Sequence, residues 1–513
     1  MNRKGFLLGI ILFAAVLAGC GSDNSSRNIL RVALFDNPTN LDPRTYSDVA
    51  SYRVIEQIYD SLIKLDSTGT PQPFLAESWK FTADTLLEFK IRRGVRFHDG
   101  VPLTAHDVAF TFRSVMDPAL NAPSRKSFEV IRAITVPDSY RVVFHLKQVY
   151  APILSNLEMG IVPKHLAEKD PKILQRQPVG SGPFKFVRWK TDAFVELRKN
   201  ADYWSGPAKI DGILIKILPE ATTRVLALEN DEIDFLMNEF PENYLERFRK
   251  NPKLKIQMKS GSNYVYLGLN LRNRYLSVKK VRQAIAHAID VKGIIRNLHG
   301  GIYQPARSLL HPRHWAYQPG LPEYQYDPSL AKRLLEEAGF PDPDGDGPHA
   351  RFRLVYKCTD KQKSRQKAQV IQSYLKAVGI DLEIQSYEWG TFFDDIQNGR
   401  FDMYSLTWVG VYEPDLYYRL FHSENIGVGA NRGAFKNPEV DRLIEAAQGT
   451  LDQQKRKALY GQIQKILAEE LPYISLWYET NIAVMQKRVV GFELYPAAEW
   501  FSFRNVHLEN ISD

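Results

Sequence analysis

The chain has 513 residues, of which 44% are hydrophobic and 25% are charged, an ordinary composition for a globular protein. This length is too great for a single hydrophobic core, so we expect two or more domains. The formal net charge is +8. No block of five like charges occurs, which argues against a nucleic-acid-binding surface. Beyond the N-terminus no apolar run is long enough to span a bilayer, which excludes the pore of a transporter.

Residues 1–19 have the features of a secretory signal, because a charged head and an apolar run precede small residues and Cys20. The sequence Leu-Ala-Gly-Cys that ends at Cys20 resembles the bacterial lipobox, which implies cleavage before Cys20 and acylation of its side chain. An uncleaved signal anchor is the alternative. Either way, the chain is predicted to work outside the cytoplasm, held to a membrane. Residues 20–28 are polar and small and are predicted to be a flexible tether.

The chain has two cysteines, Cys20 and Cys358. If Cys20 carries lipid, Cys358 has no partner, so the fold is expected to be held by its core rather than by disulfides. Cys358 follows the apolar stretch 352–356, which favours a half-buried structural residue over a reactive thiol.

The first third of the chain is predicted to be rich in β-structure. Residues 29–35 alternate in hydropathy and contain branched side chains, which is typical of a strand. The segments 86–97 and 139–146 show the same period-two alternation, with turn residues beside them.

Predicted strands and helices alternate in the later half. An N-cap acid at Asp327, followed by proline, begins a helix that ends at Gly339. The elements that follow are strand 352–356, helix 364–378, strand 380–384, helix 389–398 and strand 401–408, and then helices from Pro438 and over about 452–471. Strands that alternate with helices at this spacing predict βαβ units and a parallel sheet.

The end of the strand 401–408 is the candidate ligand site, because ligands of open α/β sheets bind beyond the carboxyl ends of the strands. An aromatic residue, Trp408, is followed there by small residues and then by a second aromatic residue, Tyr412. This pattern suits a ligand that lies along exposed backbone. Trp389 begins the preceding helix and is predicted to lie near the same edge. A place in the core is the alternative for both tryptophans.

Motifs for catalysis and metal binding give no positive signal. The sequence has no Gly-x-Ser-x-Gly elbow and no His-Glu-x-x-His zinc helix. The pairs at 98–99 and 106–107 flank a turn, and we interpret them as residues that close it. Residues 342–347 begin like a calcium loop, but Arg353 stands where the twelfth-position glutamate belongs. We therefore predict no enzymatic activity, no cofactor and no bound metal, and an exported hydrolase is the least favoured function.

Several motifs occur in order along the chain. They are Asn-Leu-Asp-Pro over 40–43, Pro-Phe-Leu-Ala-Glu-Ser-Trp over 73–79, Arg-Phe-His-Asp-Gly over 96–100, Pro-Val-Gly-Ser-Gly-Pro-Phe over 178–184 and Val-Arg-Gln-Ala-Ile over 281–285. Together they resemble the family 5 extracellular solute-binding proteins, the dipeptide and oligopeptide receptors of ABC importers.

This resemblance implies an α/β, bilobed fold of the type II periplasmic-binding-protein class with an extra β-rich subdomain. The implied segments are 29–58, 175–263 and 479–513 for the first lobe, 59–174 for the inserted subdomain and 264–478 for the second lobe. Closure of the lobes would bury the ligand between them. The resemblance implies a monomeric receptor that passes a small solute, with peptides as the first candidate, to ABC permease subunits. It would work on the periplasmic side of a membrane or at the cell surface.

Members of the family hold peptide backbone along short extended segments, one from each lobe. The matching positions are Asn37, Pro38, Thr39 and Asn40 in the first lobe and Trp408, Val409 and Gly410 in the second. The resemblance also places Trp389 near the side-chain pockets of the ligand.

Two positions depart from the family pattern. Val411 stands where peptide receptors carry an aspartate for the peptide ammonium, and Ser405 stands where oligopeptide receptors carry an arginine available to a carboxylate. Two alternatives stay open: either Asp415 or Glu413, in the same loop as Tyr412, supplies the missing negative charge, or the ligand is not a peptide with a free amine. Since the family also includes nickel-chelate and sugar receptors, a non-peptide solute or a sensor role is the alternative function.

Overall fold

The computed structural model describes residues 28–345, 347–427 and 429–509. The predicted signal segment 1–19, the predicted lipidation site Cys20 and the tether up to residue 27 lie outside these residues. Within the described part of the chain, no helix is both long and apolar enough to cross a membrane.

The strands are β1 (Ile29–Leu34), β2 (Ile63–Leu65), β3 (Pro71–Pro73), β4 (Ala76–Ala83), β5 (Leu86–Ile91), β6 (Ile131–Asp138), β7 (Arg141–Leu146), β8 (Phe184–Lys190), β9 (Phe194–Lys199), β10 (Gly212–Ile217), β11 (Phe235–Met237), β12 (Leu254–Leu269), β13 (Gln304–Pro305), β14 (Phe352–Thr359), β15 (Ile380–Tyr387), β16 (Met403–Trp408), β17 (Tyr473–Gln486), β18 (Val489–Val490) and β19 (His507–Leu508).

The helices are α1 (Val49–Ile58), α2 (Ala105–Met116), α3 (Ile153–Asn156), α4 (Lys164–Ala167), α5 (Ala221–Glu229), α6 (Leu245–Lys250), α7 (Lys279–Ala288), α8 (Val291–Leu298), α9 (Pro328–Glu337), α10 (Gln362–Lys376), α11 (Trp389–Gln397), α12 (Leu416–Phe421), α13 (Pro438–Gln448) and α14 (Gln453–Glu470).

The largest sheet runs in the order β15-β14-β16-β12-β17-β11-β1-β10-β9-β8, and β13 adds to β17. β14 pairs in parallel with both β15 and β16, which confirms the predicted βαβ units. β12 is antiparallel to both of its neighbours, so the sheet as a whole is mixed. A separate antiparallel sheet, in the order β4-β5-β7-β6, accounts for the β-rich first third.

Two long strands, β12 and β17, connect the halves of the largest sheet. They pair with each other along most of their length, and their register shifts between Ser260 and Tyr264. Such an irregularity bends a strand and increases its twist. The predicted segment boundaries at 263/264 and 478/479 fall at this irregularity, which makes it the expected hinge. The division into lobes itself stays a prediction.

The buried side chains form separate clusters. One cluster lies wholly within residues 62–161, beneath the four-stranded sheet. Two others draw on residues 264–478. A fourth combines residues 30–237 with residues 483–506. This is the packing expected of two lobes with a subdomain inserted in the first.

Local signals set most element boundaries correctly. The Asp327 side chain accepts from the Leu330 backbone N–H at the start of α9, and Gly339 has the positive φ of +87° that ends the helix. The predicted strand 86–97 is wrong beyond Ile91, because Gly94 turns the chain at a φ of +79°.

Cys358 is more deeply buried than predicted, with 1% of its surface exposed, and burial raises the pKa of its thiol.

The weak metal candidates are explained by local structure. Asp344 accepts from His349 Nδ1 at 2.6 Å, while Asp346 lies outside the described residues. Asp99 Oδ1 accepts from the Val101 N–H at 3.1 Å within the predicted turn, whereas His98 Nε2 contacts the Gly182 carbonyl oxygen of a distant segment at 3.0 Å. Among the described residues, no group of three His, Cys, Asp or Glu side chains is placed to hold a metal ion.

Candidate ligand-binding cleft

β16 has an open edge at its carboxyl end. It pairs with β12 along its whole length, but with β14 only at Met403 and Tyr404. Residues 405–408 therefore have one strand neighbour within the described part of the chain. Unpaired main-chain groups at a sheet edge are a template for an added extended strand. The edge is thus suited to an extended ligand, at the place where the sequence predicts one.

Trp408 lies half-buried beside this edge. Its ring is nearly parallel to that of Tyr266, with 6.4 Å between the centroids, and the Arg432 guanidinium carbon lies 5.3 Å from its centroid. The indole Nε1 is buried and has no hydrogen-bond partner among the described residues. An indole N–H normally finds a partner when buried, so this donor is available to an acceptor on a ligand.

Trp389 is connected to Trp408 through Phe393 and Arg432. Trp389 is 51% exposed and stacks on Phe393, with 5.2 Å between the centroids. The Arg432 guanidinium lies 5.2 Å from the Phe393 ring and also faces Trp408. The predicted place of Trp389 near the strand end agrees with these contacts. Arg432 has no signal in the sequence, because it lies in a loop without a recognisable motif.

The loop after Trp408 is fixed to β12 by its backbone. Gly410 has a φ of +64°, and its N–H donates to Asn263 Oδ1 at 3.1 Å. The Val411 N–H donates to the Ser262 carbonyl oxygen at 3.2 Å, and the Val411 side chain is only 3% exposed within the core. Val409, in contrast, is 69% exposed. The Val411 position therefore presents no charge to the cleft.

Tyr412 links two of the predicted segments. Its hydroxyl donates to Glu499 Oε1 at 2.9 Å, and its carbonyl oxygen accepts from His314 Nε2 at 2.7 Å. Glu499 lies in the segment 479–513, which is predicted to belong to the first lobe. The contact therefore joins a loop of the predicted second lobe to the predicted first lobe.

Asp415 and Glu413 are occupied by neighbouring protein groups. Asp415 accepts from the Tyr150 hydroxyl and from Gln448 Nε2, each at 2.8 Å, and Glu413 pairs with Arg456 at 3.0 Å. Burial and the charge of Glu413 raise the pKa of Asp415 to about 7. These contacts argue against either carboxylate as the partner of a peptide ammonium.

The first-lobe segment 37–40 is held by its own surroundings. The Asp192 backbone N–H donates to Asn37 Oδ1 at 2.8 Å, and the Thr39 N–H donates to Ser51 Oγ at 2.9 Å. Pro38 is buried. No hydrogen bond between described residues joins this segment to residues 408–412. Its part in ligand binding stays a prediction.

Lys367, which the sequence analysis did not single out, lies beside Ser405. Its Nζ donates to Ser405 Oγ at 2.8 Å, and no carboxylate among the described residues forms an ion pair with it. Burial lowers the pKa of the Lys367 ammonium to about 8, while the charge of Glu479 partly restores it. A cation from α10 thus reaches Ser405, the position at which the family resemblance leads us to expect an arginine.

A separate cavity of about 680 Å³ lies within residues 264–478, between α8, α14 and the loop 304–326. Its walls include Ser308, Tyr324 and Gln464 but none of the predicted ligand-binding residues. The strand end, predicted from the sequence, stays the candidate ligand site.

The mixed sheet, its two crossing strands and the open strand end define a binding protein of the type II periplasmic class. The profile of bacterial extracellular solute-binding proteins, family 5 middle, matches residues 70–427. The chain belongs to this family. Because its members are extracellular solute-binding proteins, the predictions of a receptor without enzymatic activity and of a place outside the cytoplasm are confirmed.

Similar proteins cover nearly the whole chain. Oligopeptide-binding protein AppA of Bacillus subtilis is 30% identical over 97% of this chain and 96% of the relative. The dipeptide-binding protein of Escherichia coli is 27% identical over 100% and 99%. The structure of AppA from Bacillus subtilis with a nonapeptide superposes with a TM-score of 0.76 at 30% identity, and covers 94% of this chain and 99% of its own. The structure of HbpA2 from Haemophilus parasuis gives a TM-score of 0.84 at 27% identity, and covers 94% and 100%.

Proposed function

We propose that the protein is the peptide receptor of an ABC importer and that lipid on Cys20 holds it at the membrane. The open edge of β16 carries the proposal, because a peptide main chain that adds along residues 405–408 satisfies the unpaired groups there. Main-chain hydrogen bonds of this kind supply affinity without a requirement for particular side chains. The relatives named for oligopeptides and dipeptides support a peptide ligand.

The bound peptide is enclosed when the two lobes close about the crossing strands β12 and β17. The Tyr412–Glu499 hydrogen bond is one contact that forms across the cleft. Trp408 and Trp389 provide an apolar wall for side chains, and the Trp408 Nε1 donates to a peptide carbonyl. The peptide leaves chemically unchanged when the permease subunits open the lobes.

A non-peptide solute is the second candidate, and the buried Val411 favours it. Without a carboxylate at that position, the known anchor for a peptide ammonium is absent. Relatives with other ligands include heme-binding protein A of Haemophilus influenzae, at 29% identity, and NikZ of Campylobacter jejuni, solved with Ni(L-His), at 25% identity. Native mass spectrometry of the purified protein would report the mass of any retained solute and so separate the two candidates.

Replacement of Trp408 by alanine is expected to weaken peptide binding by about 30-fold, as for a central aromatic residue of an interface. Calorimetry with the peptide identified by mass spectrometry measures this change. Trp79→Ala, on β4 in the inserted subdomain, is the matched control and is expected to leave the dissociation constant unchanged. An unaltered dissociation constant for Trp408→Ala would show that Trp408 does not belong to the site. Failure of all tested peptides to bind the unmodified protein would refute the peptide proposal.

Replacement of Cys20 by serine is expected to release the protein from the membrane fraction, because the acyl chains that hold it have no attachment point. Fractionation of cells followed by immunoblotting measures the distribution. Cys358→Ser is the matched control and should remain with the membranes. Retention of the Cys20→Ser protein on membranes would contradict the lipid anchor.

A further inference from the structure

Arg432 is a half-buried cation without a carboxylate partner. In the described part of the chain no Asp or Glu side chain forms an ion pair with it, and its Nε is buried without a hydrogen-bond acceptor. After burial, the groups that act most strongly on its charge are the hydroxyls of Tyr404, Tyr266 and Tyr473, which are neutral near pH 7. A buried donor without an acceptor is costly, and a ligand that brings an acceptor removes this cost.

Two aromatic rings hold the Arg432 guanidinium in place. Its carbon lies 5.2 Å from the centroid of Phe393 and 5.3 Å from that of Trp408. Such contacts orient a guanidinium but leave its N–H donors to find other acceptors. Trp408 Nε1 and the Tyr473 hydroxyl are also buried without partners among the described residues. The ring of Tyr266 connects them, at 6.4 Å from Trp408 and 4.1 Å from Tyr473. Three donors that lack acceptors therefore lie in one group of side chains.

The carboxylates of the neighbouring elements are engaged by other groups. Asp394 and Asp395, on α11, both form ion pairs with Arg400. Asp402, which precedes β16, accepts from Asn273 Nδ2 at 2.8 Å and from a backbone N–H of β14. None of these three aspartates pairs with the Arg432 guanidinium.

A second guanidinium adds to the positive charge around Arg432. Arg272 Nη1 donates to the Arg432 carbonyl oxygen at 3.2 Å. Arg272 likewise forms no ion pair with a carboxylate of the described residues. Since the three aspartates nearby are engaged elsewhere, the surroundings of Arg432 keep a surplus of positive charge.

Strand geometry directs ligand side chains towards Arg432. β16 pairs with β12 in a regular register, so Ser405 and Trp408, three positions apart, have side chains on opposite faces of the sheet. Lys367 lies beside Ser405 on one face, and Arg432 lies beside Trp408 on the other. A peptide that adds along this edge also alternates its side chains between the two faces. One of them therefore projects along Trp408 towards Arg432.

We propose that Arg432 binds the carboxylate of an acidic side chain, an aspartate or a glutamate, of a peptide on the β16 edge. The inference rests on the proposed function and specifies it, since it names acidic peptides as the ligand class. A guanidinium pairs with a carboxylate through two parallel N–H···O bonds, and the rings of Phe393 and Trp408 shield this pair from water. A negatively charged ligand also agrees with the buried Val411, which offers no carboxylate to a peptide ammonium.

Calorimetry with matched tetrapeptides tests this proposal. Glutamate is placed at each position of tetra-alanine in turn and compared with glutamine at the same position, because the two side chains have nearly the same shape and differ in charge. At one position the unmodified protein is expected to bind the glutamate peptide about 30-fold more tightly, as for a charge pair that is largely removed from water.

Variants of Arg432 assign this preference to its guanidinium. In Arg432→Met the preference for glutamate should fall to within about threefold. Arg432→Lys keeps the charge without the planar fork and should retain an intermediate preference. The exposed Arg419→Met is the matched control and should behave like the unmodified protein. Circular dichroism checks that each variant is folded, and Arg432→Gln is the replacement if Arg432→Met is not.

Each outcome separates the two proposals. If glutamate and glutamine peptides bind equally at every position, or if folded Arg432→Met loses affinity for both alike, the acidic subsite is wrong while the peptide receptor stands. If no tetrapeptide binds, the dicarboxylate glutarate is titrated as a probe. Glutarate binding that is lost in Arg432→Met supports the carboxylate subsite and refutes the peptide ligand. Failure of glutarate and all the tetrapeptides to bind overturns both proposals.

Discussion

Replacement of Lys367 by methionine is expected to weaken binding of a peptide with a free carboxyl terminus by about 30-fold or more. The Lys367 ammonium lies 2.8 Å from the neutral Ser405 hydroxyl, and no carboxylate among the described residues pairs with it. It stands beside residues 405–408, where the open edge of β16 would receive a peptide. A peptide carboxylate bound there would form an ion pair with an ammonium that is already partly shielded from water.

The comparison of two peptides makes this test specific. A peptide with an amidated carboxyl terminus should bind the unmodified protein more weakly than the free acid does, and should bind both proteins alike. This cycle isolates the pairing of ammonium and carboxylate from any general effect of the substitution. Lys376→Met, an exposed position on the same helix, is the matched control. Equal losses for the acid and the amide would show that Lys367 supports the fold and does not recognise the carboxylate.

Replacement of Glu242 by glutamine is expected to lower the free energy of unfolding by about 3 kcal/mol at neutral pH. Glu242 precedes α6, in a first-lobe segment, and its Oε1 accepts from the Tyr303 hydroxyl at 2.7 Å and lies 3.2 Å from Lys363 Nζ. Its Oε2 lies 3.4 Å from His299 Nδ1. These three partners all belong to the predicted second lobe, so one carboxylate joins the two lobes.

The difference in the free energy of unfolding between the unmodified protein and Glu242→Gln should decrease as the pH falls. Burial alone would raise the pKa of Glu242, but hydrogen bonds from His299 and Tyr303 and the charge of Lys363 lower it from 4.5 to about 2. A depressed pKa stabilises the fold above pH 4.5, and this contribution is lost as the pH falls towards 2. The difference between the two proteins should therefore shrink over that window.

Urea unfolding of both proteins across pH 2 to 7 measures this dependence. Glu246→Gln is the matched control, because Glu246 lies on α6 with its side chain 69% exposed and should contribute little. A stability difference that stays constant across this range would show that the charge of Glu242 is not what joins the lobes.

Local sequence determined the elements of the later half. Asp327 caps α9, Gly339 ends it, and β14, β15 and β16 alternate with helices as the hydrophobic pattern predicts. These signals act over a few residues, through capping hydrogen bonds and backbone conformation, so they can be read without knowledge of the fold. The ordered motifs along the chain also indicated the correct family, and with it the bilobed architecture and the absence of catalysis.

The charges of the cleft were decided by tertiary structure alone. Lys367 reaches Ser405 from another element, and Glu499 reaches Tyr412 from a distant segment of the chain. Its position near Trp408 in the sequence makes Asp415 a candidate for the missing charge, yet its carboxylate accepts a hydrogen bond from Tyr150, in the predicted inserted subdomain. Periodicity fixes which face of an element is buried, but it does not specify which distant side chain that face will meet. That pairing follows from strand order and the crossings between the lobes.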